Sequence, residues 1–279
     1  MSLLRPGTLL DGGLATGLYA RGMPGEALPE EWVLTHPEDV AAVHAGHFRA
    51  GARVVLTATF NLVTPRLSAR LGEGKDGLVA ATAVGLARAA APGARVAGSL
   101  GPAAVPGATP DLLAARYELA CRALADAGAD LAWLETQLEL GEALAALAAA
   151  RRAGLPAVVT FAFREERGRL VGGDGVPAEA WLSAAAALGA AAVGVNCVAA
   201  SPALARVAFA AQALTVPFVV KPSPGPPGEV AAPDVFARAV APVVEAGARI
   251  VGGCCGAGPE HLAALAPLVA TAAAQVARG

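Results

Sequence analysis

Short apolar runs rich in Val, Ile and Leu recur along the whole chain, each closing on a polar or glycine-containing cluster, with Ala/Leu/Arg-rich stretches between them. Such runs, bounded by turn formers, read as strands, and the longer Ala-rich stretches read as helices. The strands expected are Thr8 to Asp11, Arg53 to Thr57, Ala94 to Ser99, Asp130 to Glu135, Ala157 to Phe161, Ala192 to Asn196, Pro217 to Lys221 and Arg249 to Gly252. His36-Pro37-Glu38 opens a helix through Phe48, Thr109-Pro110-Asp111 one through Ala127, and Pro177-Ala178-Glu179 one through Leu188, each with proline in the first turn where its missing N–H costs nothing. Gly51, Gly128, Gly189 and Gly247 stand where helices should stop. An "AGA" or "LGA" triplet before the second, fourth, sixth and eighth strands marks the helix-to-strand turn of one repeating unit.

Eight β/α units specify an α/β fold, a single (β/α)8 TIM-type barrel over residues 1–279. The competing open, doubly wound sheet would want a G-x-G-x-x-G turn after the first strand. Asp11-Gly12-Gly13-Leu14-Ala15-Thr16-Gly17 lacks that spacing and a well-placed acidic residue after the second strand. The Pro-rich stretch Lys221 to Pro227 reads as a rigid loop at the barrel mouth.

The 279 residues are 55% hydrophobic and 16% charged, enough apolar surface for one sizeable core. A net charge of -2 and scattered arginines offer no basic face to a nucleic acid. The Ala-rich tracts Ala143 to Ala150 and Leu262 to Ala277 are too short or too Pro-interrupted for ~20-residue membrane spans. Met1 to Pro6 does not make a secretory signal. A soluble, cytoplasmic protein is expected, its four cysteines serving as thiols or metal ligands rather than disulfides.

Polar side chains gather at the C-terminal strand ends: Asp11, Thr57 and Thr59, Ser99, Glu135, Thr160, Cys197, Lys221, and Cys254-Cys255. In a barrel this is the face where active sites are built. The sixth and eighth strands flank the seventh, so Cys197, Cys254 and Cys255 can reach one metal ion. Thiolates select zinc over magnesium or calcium, and three protein ligands leave an open position suited to a substrate thiol. The alternative is a tight Gly252-Gly253-Cys254-Cys255-Gly256 turn whose cysteines are small buried groups, and spacing alone leaves both open. A redox pair of Cys254 with Cys255 is a third reading. Cys121, among Ala and Leu on a helix, reads as core. Asp11 and Glu135 suit a substrate ammonium or, alternatively, a helix cap. The four histidines, His36, His44, His47 and His261, read as structural. Lys221 could bind an anion or form an imine, but an imine-forming aldolase leaves the cysteines unexplained.

The segments "DGGLATGL" at 11–18, "HFRAGARVVLTATF" at 47–60, "VAGSLGP" at 96–102, "AGADLAWLET" at 127–136, "GVNC" at 194–197 and "GGCCGAGPEHL" at 252–262 together resemble the homocysteine S-methyltransferase family over Leu10 to about Leu265. The resemblance implies a homocysteine-binding (β/α)8 barrel with one zinc ion on Cys197, Cys254 and Cys255. It implies Asp11 and Glu135 for the amine of homocysteine, and Gly12 and Gly13 for close backbone approach; Thr59 and Asn196 complete the substrate-binding set. The zinc-held thiolate would attack an activated methyl in line, giving methionine, with no covalent enzyme intermediate.

Two phrases depart from the family: "TATF" with Ala58 where "TNTF" is frequent, and Lys221-Pro222-Ser223-Pro224-Gly225 where a "PNAG"-like phrase is frequent. Both face the pocket and bear on acceptor or donor preference. A sulfonium donor, S-methylmethionine or S-adenosylmethionine, is the first expectation and betaine the second, since aromatics make up only 4% of the chain. Trp32 is the aromatic platform the sequence offers, if it is not simply packed. The partners expected are therefore small molecules, a thiol and a methyl donor. The alternative is a homocysteine-binding module that works only with a separate corrinoid or folate protein. No cobalamin or folate domain is recognisable within the 279 residues.

Overall fold

A computed structural model describes residues 4–225 and 229–276. The chain runs β1 (Thr8–Leu9), α1 (Leu14–Tyr19), α2 (Pro29–Thr35), α3 (Pro37–Arg49), β2 (Val54–Leu56), α4 (Pro65–Leu71), α5 (Asp76–Ala90), β3 (Arg95–Leu100), α6 (Pro110–Asp126), β4 (Leu131–Gln137), α7 (Leu140–Arg152) and β5 (Ala157–Phe161). A small hairpin, β6 (Arg164–Glu166) and β7 (Arg169–Val171), follows. The chain then continues through α8 (Ala178–Ala187), β8 (Ala192–Ala199), α9 (Pro202–Ala210), β9 (Phe218–Ser223), α10 (Pro233–Glu245), β10 (Ile250–Val251) and α11 (Pro259–Val276).

Eight strands pair in the order β1-β10-β9-β8-β5-β4-β3-β2, every pair parallel. The two ends of that order meet: Arg53 N–H donates to the Leu9 carbonyl at 2.8 Å, and Asp11 N–H to that of Val54 at 3.1 Å. The sheet thus closes into the TIM-type barrel expected, and all eight expected strands are in it. Helix starts also follow their signals. Pro110 follows Thr109, whose hydroxyl caps Leu112 N–H at 3.3 Å, and Gly51, Gly128, Gly189 and Gly247 all take positive φ behind their helices.

Strand alternation divides the core in two. Leu10, Val54, Leu56, Ala97, Leu131, Trp133, Val158, Ala192, Val219 and Ile250 fill the barrel interior. Their strand neighbours Val55, Val96, Ala132, Leu134, Val159, Val193, Val220 and Val251 face the helices. Burying each large apolar side chain stabilises the fold by about 1.5–3 kcal/mol, so a one-residue slip in any strand would exchange two buried sets. Two residues on from Ala97, Trp133, Val158 and Val219, and four on from Ala192, the same period turns Ser99, Glu135, Thr160, Lys221 and Asn196 inward above the apolar layer. The alternation that builds the core also builds the polar mouth.

Two sequence expectations change. β9 takes in Lys221 as expected but continues through Pro222 and Ser223, which were expected in a loop. Pro222 lacks a ladder N–H but its carbonyl accepts Cys254 N–H at 2.9 Å, at the register shift between Asn196 and Ala199 where one missing donor is tolerated. Pro226 and Pro227, the rest of that stretch, lie outside the described residues. The β6–β7 hairpin was not expected, since its strands are short and charged, Arg-Glu-Glu and Arg-Leu-Val.

Candidate active site

The three cysteines come together by a departure from strand regularity. After Asn196 the next side chain would point to the helices, but β8 shifts register between Asn196 and Ala199, and Cys197 adopts φ 54°. β4 does the same between Leu134 and Gln137, with Thr136 at φ 58°. Non-glycine residues in this left-handed region are sparse and need outside support. Asn196 supplies it: its side-chain carbonyl accepts Thr136 N–H at 2.9 Å, and its NH2 donates to Thr136 Oγ1 at 2.7 Å. The same NH2 points at Cys254 Sγ, 3.8 Å away. Asn196 is buried and holds both bulges in place from behind the sulfurs.

On the β10 side, Gly252 and Gly253 lead to Cys254 and Cys255. A Cβ on Gly12 would strike the Ala257 carbonyl, and one on Gly13 would strike Thr16 Oγ1 and come within 2.7 Å of the Cys254 carbonyl. Gly12 and Gly13 therefore let the start of α1 pass close beneath the cysteine turn. The Sγ atoms of Cys197, Cys254 and Cys255 all lie within 4.8 Å of one another. Cys197 and Cys254 are in bonding contact as a disulfide pair, and Cys255 Sγ is 3.9 Å from Cys197 Sγ. Three thiolates around a tetrahedral zinc, with Zn–S near 2.3 Å, stand about 3.8 Å apart. The donor set therefore fits zinc once the pair is reduced. The redox reading joined Cys254 to Cys255; here Cys255 is a free thiol. Cys121 is buried in the core, as expected.

A cavity of about 380 Å³ opens at these sulfurs, lined by Cys197, Cys254, Cys255, Glu135, Lys221 and Ser99 on one part of its wall. Gly12, Gly13, Tyr19, Phe60, Asn61 and Arg66 line another part. Glu135 accepts a 2.5 Å hydrogen bond from Ser99 Oγ. Burial raises its carboxyl above the usual range, a push that the nearby Lys221 ammonium and the Ser99 hydroxyl oppose. A second hollow, of about 690 Å³, shares Thr16, Tyr19 and Cys255 with the first.

Three of the expected substrate residues lie elsewhere than on this wall. Asp11 is fully buried: Oδ1 accepts Lys221 Nζ at 2.6 Å and Oδ2 accepts Leu56 N–H at 2.7 Å. Its carboxylate is taken up within the protein, and Lys221 reaches the cavity in its place. Thr59 bonds Thr57 Oγ1 at 2.6 Å and the Ser99 carbonyl at 2.8 Å, bracing the loop after β2, and Asn196 holds the bulges. Trp32, the aromatic platform suggested by the sequence, is 7% exposed and stacks on His36 with ring centroids 4.1 Å apart. The cavity's aromatic rings are Phe60 and Tyr19.

The profile of the homocysteine S-methyltransferase family matches residues 8–269. The chain belongs to that family. Homocysteine S-methyltransferase of Escherichia coli (strain K12) is 30% identical over 293 residues, covering 92% of this chain and 93% of that protein. The crystal structure of the homocysteine methyltransferase MmuM from Escherichia coli in its metallated form superposes with a TM-score of 0.75 at 30% identity, over 93% of this chain and 95% of that one. Methionine synthase of Mycobacterium tuberculosis is 30% identical over 298 residues, covering 93% of this chain but 24% of that much longer protein.

Within this methyltransferase-family barrel, sequence reading missed Glu30 altogether. It is fully buried on α2 and takes Asn61 N–H at 2.7 Å and Asn61 Nδ2 at 3.1 Å, fixing the loop that carries Phe60 into the cavity. Burial raises its carboxyl. The usable signal was a glutamate in the first turn of a helix opened by Pro29. His44 and His47 lie buried on α3, and neither His44 ring nitrogen has a partner. Burial lowers its imidazole to about 4 and keeps it neutral. His261 caps its own loop, accepting Gly258 N–H at 3.2 Å. Among the described residues no helix is long and apolar enough to cross a membrane.

Proposed function

We propose that this chain is a zinc-dependent S-methyltransferase that transfers a methyl group from a sulfonium donor, S-methylmethionine or S-adenosylmethionine, to the thiol of homocysteine, giving methionine. The observation that carries the proposal is the cluster of three sulfurs within 4.8 Å on the wall of a 380 Å³ cavity that also presents Glu135. Zinc held by Cys197, Cys254 and Cys255 would supply stabilisation of the acceptor sulfur as a thiolate near neutral pH. The residues of the chain do the rest. Glu135, desolvated and short of a full countercharge, takes the acceptor's ammonium, which offsets the effect of burial and favours its ionised form. Asn196 keeps the Cys197 bulge and Cys254 in register, so that the sulfurs stay fixed as the acceptor binds.

The transfer balances simply: the acceptor thiolate forms a bond to the methyl carbon, the carbon–sulfur bond of the sulfonium breaks, and its electron pair stays with the departing thioether. No proton has to move in that step. The faces of Phe60 and Tyr19 suit the positive charge of such a donor. Because all three sulfurs must be thiolates to hold the metal, activity requires the reduced protein. Both partners are small molecules, and a cytoplasmic, reducing setting fits the need for three free thiols.

The test supplies the reduced, zinc-loaded chain with homocysteine and, in turn, S-methylmethionine, S-adenosylmethionine and betaine. Methionine formed from a sulfonium donor by the isolated chain is the expected result, and methionine from betaine alone would reverse the donor assignment. The match to about a quarter of methionine synthase favours a second reading, an acceptor module served by another protein. Homocysteine binding without turnover on any of the three donors would support that reading.

A further inference from the structure

Lys221 is a buried charged group on the cavity wall that the proposed function leaves without a task. It stands on the interior face of β9 two residues beyond Val219, and its carbonyl neighbour Pro222 is bonded to Cys254 N–H. It lines the cavity with Glu135 and the three cysteines, while Asp11 does not. Its Nζ is held from the protein side by Asp11 Oδ1 at 2.6 Å, and lies 5.9 Å from the centroid of the Trp133 ring. Asp11 in turn is fixed through its other oxygen by Leu56 N–H. An ammonium has three N–H donors, and among the described residues Lys221 Nζ makes a single hydrogen bond, the one to Asp11. The remaining donors sit in a largely desolvated site beside the cavity. A buried ion pair with one member on a cavity wall is an unusual place to keep a cation unless a second anion is to share it, because desolvation of both charges offsets much of their attraction.

We infer that Lys221 receives the carboxylate of an α-amino-acid thiol whose ammonium lies against Glu135, with Asp11 as the fixed counter-ion that orients Lys221 instead of a direct ligand of the substrate. This rests on the proposed thiol methylation and adds to it the residue that holds the acceptor's carboxylate. The polar end of the cavity then carries one cation and one anion for a zwitterion, and discriminates against thiols that lack either charge. A cavity with two uncompensated carboxylates would instead favour a simple amine. Arg66, which also lines the cavity, is exposed and bonded to the Glu26 carbonyl at 3.1 Å. It is the competing cation at the mouth.

The experiment pairs the enzyme's charge with the substrate's. Homocysteine, 3-mercaptopropylamine (the same thiol without its carboxylate) and 4-mercaptobutyrate (without its amine) are compared on wild type, Lys221→Met and Arg66→Gln. Calorimetric binding to the zinc-loaded protein and turnover are both read. Charge-assisted hydrogen bonds of this kind are worth roughly tenfold to a hundredfold in affinity. Wild type should bind homocysteine that much more tightly than 3-mercaptopropylamine. Lys221→Met should erase the difference by weakening homocysteine alone, raising KM with little change in kcat; Arg66→Gln should preserve it. Equal losses for both thiols in Lys221→Met would make Lys221 a structural partner of Asp11 and overturn the inference, as would erasure by Arg66→Gln.

Lys221→Met leaves Asp11 buried without a partner, so the Asp11→Asn/Lys221→Gln double variant, which removes both charges together, is measured beside it. It should show the same erased ratio, and a ratio kept in the folded double variant overturns the inference. A wild type that methylates none of the thiols defeats the proposed function, while the calorimetric ratio still decides the part assigned to Lys221.

Discussion

The two sides of the barrel mouth are built by opposite means. On the charged side, Ser99 and Lys221 face inward because β3 and β9 keep alternation past Ala97 and Val219, and Glu135 because β4 keeps it one step past Trp133, up to the bulge at Thr136. On the sulfur side, Cys197 faces the cavity because β8 breaks alternation, at the cost of a left-handed backbone that Asn196 and Thr136 must hold. Alternation is robust, since slipping it would bury charges and expose the core. A bulge is local and depends on a few hydrogen bonds. On the charged side a substitution that leaves no buried charge unpaired therefore costs recognition and not shape, whereas the sulfur side loses the site itself.

The sharpest break of that contrast is Cys197→Ser. It should leave the fold intact while removing bound zinc and lowering methyl transfer by about three orders of magnitude or more, because two thiolates do not complete the three-ligand set of a catalytic zinc. Metal content by atomic emission, set against circular dichroism, separates the two effects.

Next in size is an effect beneath the charged side. His44, buried on α3 with no hydrogen-bond partner, has its imidazole lowered by burial to about 4. The unfolded chain, whose histidine titrates near 6.5, takes up the proton first. The stability due to this group is therefore complete above about pH 6.5 and is lost as pH falls toward 4, by on the order of 3 kcal/mol. Urea unfolding at pH 7 and pH 4.5 should show this fall in wild type and a clearly smaller one in His44→Leu. Identical pH dependence in the two proteins would mean that His44 is not held neutral by its surroundings.

The smallest effect sharpens the comparison. Asn196→Ala keeps all three sulfurs but removes the clamp on both bulges, and should weaken zinc affinity by roughly tenfold to a hundredfold, measured by competition with a chelator. No change would show that the bulges hold themselves.

The same contrast explains what could be read from the sequence. All eight barrel strands were legible, because an apolar run facing both the interior and the helices leaves an unbroken Val/Ile/Leu signature. The grouping of the cysteines was legible as strand-end residues on strands that flank a common neighbour. The bulge that turns Cys197 inward was not, since one extra residue in a ladder leaves no compositional trace. Nor was the partner of Asp11: Lys221 lies 210 positions away, and only barrel closure brings β1 and β9 to either side of β10. Pro222 suggested a loop because proline usually ends a strand, and the hydrogen bond that its carbonyl accepts from Cys254 has no local signal. Glu30 was passed over for the same reason, its partner Asn61 lying on another loop.

The central claim, that three protein sulfurs hold a zinc ion open to a thiol substrate, is tested most directly by zinc K-edge X-ray absorption on the reduced protein. The account predicts three sulfur neighbours near 2.3 Å and one lighter atom, with the lighter atom replaced by a fourth sulfur when homocysteine is added. Fewer than three sulfurs in the free protein, or an unchanged shell in the presence of homocysteine, would contradict it.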